Sequence, residues 1–218
     1  MSGKPTEADW YFDILSPFSY LQLHALDSHA DAVAINPKPV VLGAILKHWG
    51  LIGPAEVPPK RLHTYRMCQW TARERGLPFR MPARHPFNPL KALRLLTSIG
   101  PDLASVRKAF DFVFVEGRAP DNDEELSALF DKLGLEGSVQ EFVEHQAAKD
   151  HLRANTEEAI SRGVFGVPTV HVAGENFWRD DATGMLLTCL NDRAMFESGE
   201  MARLADLPVG IKRTTAPA

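Results

Sequence analysis

In Ser16-Pro17-Phe18-Ser19 a hydroxyl stands just before a proline, where an alternating apolar run gives way to one of helical period. A serine at such a junction has two chemical uses. Its oxygen can cap the helix by accepting a free backbone N–H of the first turn. Its proton can also be offered to an anion held in the partial positive charge of a helix start. Both uses remain open on these residues. Ser19 reads as a small inward-facing residue of the first turn. Two further stretches carry candidate chemistry. Val167-Pro168 sits at the head of an apolar run, where a proline is an ordinary strand start. Phe177-Trp178-Arg179-Asp180-Asp181-Ala182 puts two carboxylates before a helical pattern, as caps or as ligands for a cation. Lys47 is a lone cation near the end of a short helical run.

Other chemistries are disfavoured by residue type and spacing. The only cysteines, Cys68 and Cys189, lie far apart and form no C-x-x-C pair, so a dithiol redox enzyme is not expected. Both read as buried, unpaired thiols. The eight histidines show no H-E-x-x-H pattern or zinc-finger spacing. His145 and His151, on one predicted helix, are too far out of phase to share a ligand face. No metal site is expected.

The elements that would position these residues follow from period. Trp10, Phe12 and Ile14 alternate with Tyr11 and Asp13, which predicts a strand. Phe18, Leu21 and Ala25 then repeat at helical spacing, with Pro17 suited to the first helical position. "VAINPKPVVL" predicts a second strand whose two prolines require an edge or a bulge. From Gly43 to about Arg162 the pattern is helical. It comprises a short helix ended by Gly50, the loop "GPAEVPP", and a helix with Leu62, Tyr65, Cys68 and Ala72 on one face. The proline-rich irregular stretch "LPFRMPARHPFNP" follows, then helices over 90–99, 103–116, 122–133 and 138–162. "DNDEEL" is an acidic helix start that suits the helix dipole. After "RGVFG" the period returns to two, with strands in "PTVHV" and "FW" around a turn at "AGEN". "DDATGMLLTCL" predicts a further helix and 192–206 a last one. The order β-α-β, helices, β-β-α predicts an α/β fold in which a mixed sheet is interrupted by a helical insertion.

At 218 residues with 44% hydrophobic content, the chain can bury a substantial core. A net charge of −4 gives no reason to expect nucleic acid or an anionic membrane as partner. The start "MSGKPTEADW" lacks an apolar secretory core, and "VVLGAIL" is too short to span a bilayer, so a cytoplasmic location is expected. The tail "GIKRTTAPA" is expected to fray.

"SPFSYL" at the end of the first strand, "LGAILK" after the second and "GVFGVPT" opening the third, taken together and in order, resemble the 2-hydroxychromene-2-carboxylate isomerase family. That family is similar to the kappa-class glutathione transferases. The resemblance runs over roughly residues 9 to 190. It implies a thioredoxin-like fold with a large all-helical insertion, related to the disulfide oxidoreductases. The sheet domain would comprise 9–42 and 150–190, the insertion 43–149, and a C-terminal helix and tail 191–218. Where the disulfide oxidoreductases carry C-P-x-C, this chain has Ser16-Pro17-Phe18-Ser19, and a serine cannot form a mixed disulfide. The resemblance implies instead that the thiolate belongs to glutathione and that Ser16 donates a hydrogen bond to it.

It further implies that Val167-Pro168 is cis, with the Val167 backbone pairing to the cysteinyl part of glutathione. Trp178, Arg179, Asp180 and Asp181 would surround the γ-glutamyl end, with Asp181 as the carboxylate for its ammonium. Lys47 would pair with a carboxylate at the pocket mouth. Phe18, Trp49, Trp70, Phe87 and Trp178 are candidate apolar walls. The chain departs from the family pattern at Arg179, in place of a glycine, and at Ala182, in place of an arginine. It departs again at Leu51, Met67 and Trp70, in the region that would shape the substrate pocket.

The expected activity is glutathione-dependent cis–trans isomerisation of an unsaturated oxo-acid or its hydroxychromene-carboxylate hemiketal. The alternatives are a kappa-like transferase or a non-catalytic glutathione-binding module. The expected partner is a small molecule, and the resemblance implies a homodimer.

Overall fold

The computed structural model describes residues 4–211. The extreme N-terminus and the tail from 212 onward, the latter expected to fray, lie outside the described residues. The elements in chain order are β1 (Thr6–Phe12), α1 (Pro17–Asp27), β2 (Val33–Pro39), α2 (Leu42–His48), α3 (Pro58–Glu74), α4 (Leu90–Ser98), α5 (Leu103–Phe114), α6 (Asp123–Leu133), α7 (Val139–Glu144), α8 (Gln146–Ser161), β3 (Thr169–Val172), β4 (Glu175–Trp178), α9 (Thr183–Asn191) and α10 (Gly199–Ala205). Short 3-10 turns cover Pro54–Glu56 and Asp180–Ala182. No helix among the described residues is long and apolar enough to cross a membrane.

The four strands form one mixed sheet in the order β2-β1-β3-β4. β1 pairs parallel to β2 and antiparallel to β3, with Trp10 opposite Val170 and Tyr11 opposite Thr169. β2 is an edge strand, and its prolines explain why. Val40 N–H donates to Phe12 O at 2.9 Å, so the even-numbered residues of β2 face β1. Pro37 and Pro39 are out of phase, and their missing donors fall on the free edge. The turn between β3 and β4 passes through Ala173 (φ 55°) and Gly174 (φ 86°). Two successive positive φ values match the twist of a tight hairpin.

β1 is central and buried on both faces. Trp10 and Phe12 stack at 4.8 Å between ring centres and meet Phe110 of α5 at 6.2 and 5.7 Å. This face belongs to the large core that also takes in Leu93 and Leu96 of α4 and Leu126 and Leu129 of α6. The helices over 43–149 therefore share their core with the sheet. Tyr11, on the other face, packs with Val40, Ile45, Ala159, Val164 and Val167 beneath α2 and α8.

Two sequence-based expectations are corrected. The helix expected over 138–162 is two, because His145 leaves helical geometry (φ −58°, ψ 124°) between α7 and α8. Leu62, placed on the buried face of α3, is 52% exposed, while Cys68 and Ala72 are buried. "DNDEEL" behaves as expected. Asn122 caps α6 by accepting Glu125 N–H at 2.9 Å, and three acidic residues follow in the first turn.

Candidate active site

β1 delivers the chain to the site through a short turn. Ser16 N–H donates to Asp13 O at 2.9 Å, and Pro17 then opens α1. Ser16 is the N-cap, its Oγ accepting Ser19 N–H at 3.3 Å. That is a long bond and uses only a lone pair. Among the described residues nothing accepts the Ser16 hydroxyl proton. Ser19 is fully buried, and its Oγ has no partner.

Ser16 lines a cleft of about 530 Å³. Its walls are mostly apolar: Pro17 and Phe18 of α1, Leu42 and Leu46 of α2, Phe165 before β3, and Trp178 at the end of β4. The Val167–Pro168 peptide is cis. Among the described residues the Val167 N–H and C=O have no hydrogen-bond partner, whereas Pro168 O accepts Arg179 N–H at 2.8 Å. Val167 thus offers the cleft a donor and an acceptor just before β3.

The loop after β4 brings a cation. The Arg179 guanidinium lies 4.1 Å over the Phe18 ring and 5.4 Å from the Trp178 ring. Among the described residues its Nε is buried without a hydrogen bond; Asp181 at 4.0 Å is in ion-pair range but too far to accept one. Arg179 has φ 67°, the left-handed region where the family's glycine would be unstrained. Gln22 holds it there. The Gln22 amide donates to Arg179 O at 2.7 Å and accepts Trp10 Nε1–H at 2.8 Å, tying the loop to the core. Arg75, capping the C-terminus of α3, grips Asp180 with two bonds of 2.8 and 2.7 Å. Together they order a loop that lacks the arginine replaced by Ala182.

Ser16, Phe18, Val167, Trp178 and Arg179 converge on the cleft. Five other expected residues do not. Pro168 lies outside the lining, its carbonyl accepting Arg179 N–H. Asp180 is committed to Arg75. Asp181 is exposed, its side chain 76% accessible, and outside the cleft lining. Lys47 is exposed on α2; with Leu46 in the wall, the next residue turns about 100° away. Phe87 is buried in the main core, an apolar ring withdrawn from the cleft. Of the remaining wall candidates, Trp49 donates its indole N–H to Val164 O at 2.9 Å, and Trp70 is 61% exposed.

Three further residues that shape the cleft escaped the sequence. Asp13 is fully buried, and burial pushes its carboxyl up to about 6, against the pull of two backbone donors. Those donors are Leu15 N–H at 2.9 Å and Leu42 N–H at 3.0 Å. Asp13 therefore fixes the residue before Ser16 to the start of α2, two walls of the cleft. A charge just past β1, inside the apolar stretch "WYFDI", was its signal. Tyr65 of α3 and His85 of the irregular segment also line the cleft, with Tyr65 Oη 2.7 Å from His85 Nδ1. Nothing in their spacing, twenty residues apart, marked them as a pair.

The chain's own thiols are elsewhere. Cys68 and Cys189 are free and buried, and neither lines the cleft. Burial pushes the Cys68 thiol up to about 12 and Cys189 upward as well. The start of α1 at Ser16 has neither cysteine beside it.

Fold and site together define a thioredoxin-type protein whose redox cysteines are replaced by hydroxyls. Residues 7–190 match the family model described as a DSBA-like thioredoxin domain, and the chain belongs to that family. Within it the chain belongs with the 2-hydroxychromene-2-carboxylate isomerases. It is 31% identical to the Pseudomonas putida protein of that name over 185 residues, 82% of this chain and 91% of the relative. A solved 2-hydroxychromene-2-carboxylate isomerase structure superposes with a TM-score of 0.76 at 28% identity, covering 94% of this chain and 100% of that one. Glutathione S-transferase kappa 2 of Caenorhabditis elegans is 25% identical over 215 residues, 90% of this chain and 89% of that protein.

Proposed function

We propose that the protein is a glutathione-dependent cis–trans isomerase of an unsaturated oxo-acid of the hydroxychromene-carboxylate type. The observation that carries this reading is the Ser16 hydroxyl, a donor with no acceptor, at the start of α1 in a cleft that holds no cysteine. The fit to glutathione rests on three unmet valences. Ser16 Oγ–H suits a sulfur anion, the Val167 backbone an extended peptide, and the buried Arg179 Nε–H a carboxylate.

Bound glutathione would supply a thiolate that adds to the conjugated carbon and leaves after the former double bond has rotated. The protein's share is to keep that sulfur ionised. A free thiol has a pKa of about 8.5, so only a few per cent is anionic at neutral pH. Bringing it to about 6.5 requires roughly 2.7 kcal/mol of preference for the anion. A charge-assisted hydrogen bond supplies about 1.5–3 kcal/mol and the helix dipole about 0.3–1 kcal/mol. The apolar walls keep water from weakening both.

Turnover of 2-hydroxychromene-2-carboxylate with glutathione, followed with a thiol count, tests the reading. Isomerase action requires glutathione and leaves total thiol constant. Steady loss of thiol would instead establish the kappa-like transferase that the Caenorhabditis elegans relative suggests. Glutathione binding without turnover would leave only a binding module.

A further inference from the structure

Tyr65 and His85 line the cleft that Ser16 opens onto, and the thiol-holding residues make no use of them. His85 Nε2 lies 2.7 Å from the carbonyl oxygen of Leu15, the residue before Ser16. A carbonyl oxygen only accepts, so this partner assigns the proton to Nε2 and leaves Nδ1 with its lone pair. Tyr65 Oη, 2.7 Å from Nδ1 and 3.0 Å from His85 O, must therefore be the donor. The phenol spends its proton on His85 and keeps its remaining oxygen lone pairs as acceptors. The two rings stand edge to face, 5.2 Å apart at 80°, which fixes the alignment. The order is a base, a second base behind it and a carbonyl that orients the second, as in activated hydroxyl pairs generally. Burial pulls His85 down, which keeps the imidazole neutral and able to accept, and pushes Tyr65 up, which keeps the phenol protonated.

We propose that Tyr65 and His85 form a proton relay that opens a ring-closed hemiketal substrate in this cleft, Tyr65 as the catalytic residue and His85 as the positioning residue behind it. The proposal rests on the isomerase reading above and extends it to the form of the substrate. Tyr65 Oη takes the hemiketal hydroxyl proton as its own passes to His85 Nδ1. The freed electron pair on the hydroxyl oxygen becomes the second bond of a ketone. The bond from that carbon to the ring oxygen breaks, and its electron pair goes to the leaving oxygen as a phenolate. The proton returns from His85 through Tyr65 to the phenolate. Nothing is oxidised or reduced, and the relay ends as it began. The product is the open cis oxo-acid, whose conjugated carbon is then exposed for isomerisation.

The test compares two probes with the full chain and glutathione. 2-Hydroxychromene-2-carboxylate is ring-closed. cis-Benzylidenepyruvate carries the same conjugated oxo-acid but lacks the ring hydroxyl and cannot close. Tyr65→Phe should lower kcat on the closed probe by about 10²-fold or more, with KM and the rate on the open probe little changed. His85→Gln should show the same split. The thiolate absorbance of bound glutathione should match wild type in both variants, and nitrogen NMR of the wild type should find His85 protonated at Nε2. Equal slowing of both probes, no slowing of either, or a proton on Nδ1 would overturn the relay and leave the isomerase standing. A wild-type protein inert on both probes would remove both.

Discussion

In the proposed function Ser16 has two roles. As a cap it accepts Ser19 N–H; as a site residue it would donate to the glutathione sulfur. Ser16→Ala removes both but leaves Val167 and Arg179 in place. Glutathione should therefore still bind, with kcat lower by roughly tenfold to a hundredfold, the value of one charge-assisted hydrogen bond. Ser16→Cys should not restore activity, since a protein thiol would compete with the borrowed one. Arg179 is a cation with a buried unpaired N–H, and a ligand carboxylate would satisfy it. Arg179→Met keeps the apolar stem over Phe18 and removes the charge. Calorimetry should find glutathione binding weaker by about tenfold, the scale of a hydrogen bond to a charged group. Unchanged affinity would mean that the guanidinium only packs.

The junction of β1, α1 and α2 is held by a carboxyl buried where most proteins would place an apolar group. Asp13 binds its proton more tightly folded than unfolded, since burial raises it from 3.8 to about 6. Its contribution to stability is therefore present at low pH and is lost as pH rises from 3.8 through about 6. The loss is roughly 3 kcal/mol at full burial. Denaturant unfolding at pH 4 and pH 7 should show this change in the wild type relative to Asp13→Asn, which cannot ionise. Identical pH dependence in the two proteins would contradict it. Gly166 makes a second test at this scale. A Cβ there would sit 2.7 Å from Trp178 Nε1, so Gly166→Ala must push the indole off its place. Glutathione affinity and Trp178 fluorescence should change together, while Gly184→Ala, on α9 outside the cleft lining and with nothing within 4 Å of a Cβ, should be silent. The elements themselves were legible in the sequence. Period two marked the strands, period 3.6 the helices, and the two prolines of β2 its edge. Lys47 was misplaced because helical phase, one residue past Leu46, decides the wall. Asp181 was misplaced because the loop after β4 spends its neighbour Asp180 on Arg75, a partner about a hundred residues away that no local pattern reveals.

The whole molecule folds around a core common to the sheet and the inserted helices, with Phe110 of α5 against Trp10 and Phe12 of β1. Phe110→Ala should cost about 3–5 kcal/mol. Far-ultraviolet dichroism and tryptophan fluorescence should report one unfolding transition, shifted alike. Two transitions would mean that sheet and insertion are independent. The order of motifs over most of the chain carried the thioredoxin-like architecture, because "SPFSYL" and "GVFGVPT" mark the two sheet segments that meet at the cleft. Tyr65 and His85 stayed hidden, because only the packing of α3 against the irregular segment brings them together. In the proposed function this architecture would stabilise an anion that the chain does not own. Ultraviolet titration of glutathione bound to the wild type and to Ser16→Ala measures that directly. A bound thiol pKa of about 6.5 is expected in the wild type, rising toward the free value of about 8.5 in the variant. A wild-type complex that titrates like free glutathione, or a variant that titrates like the wild type, would contradict it.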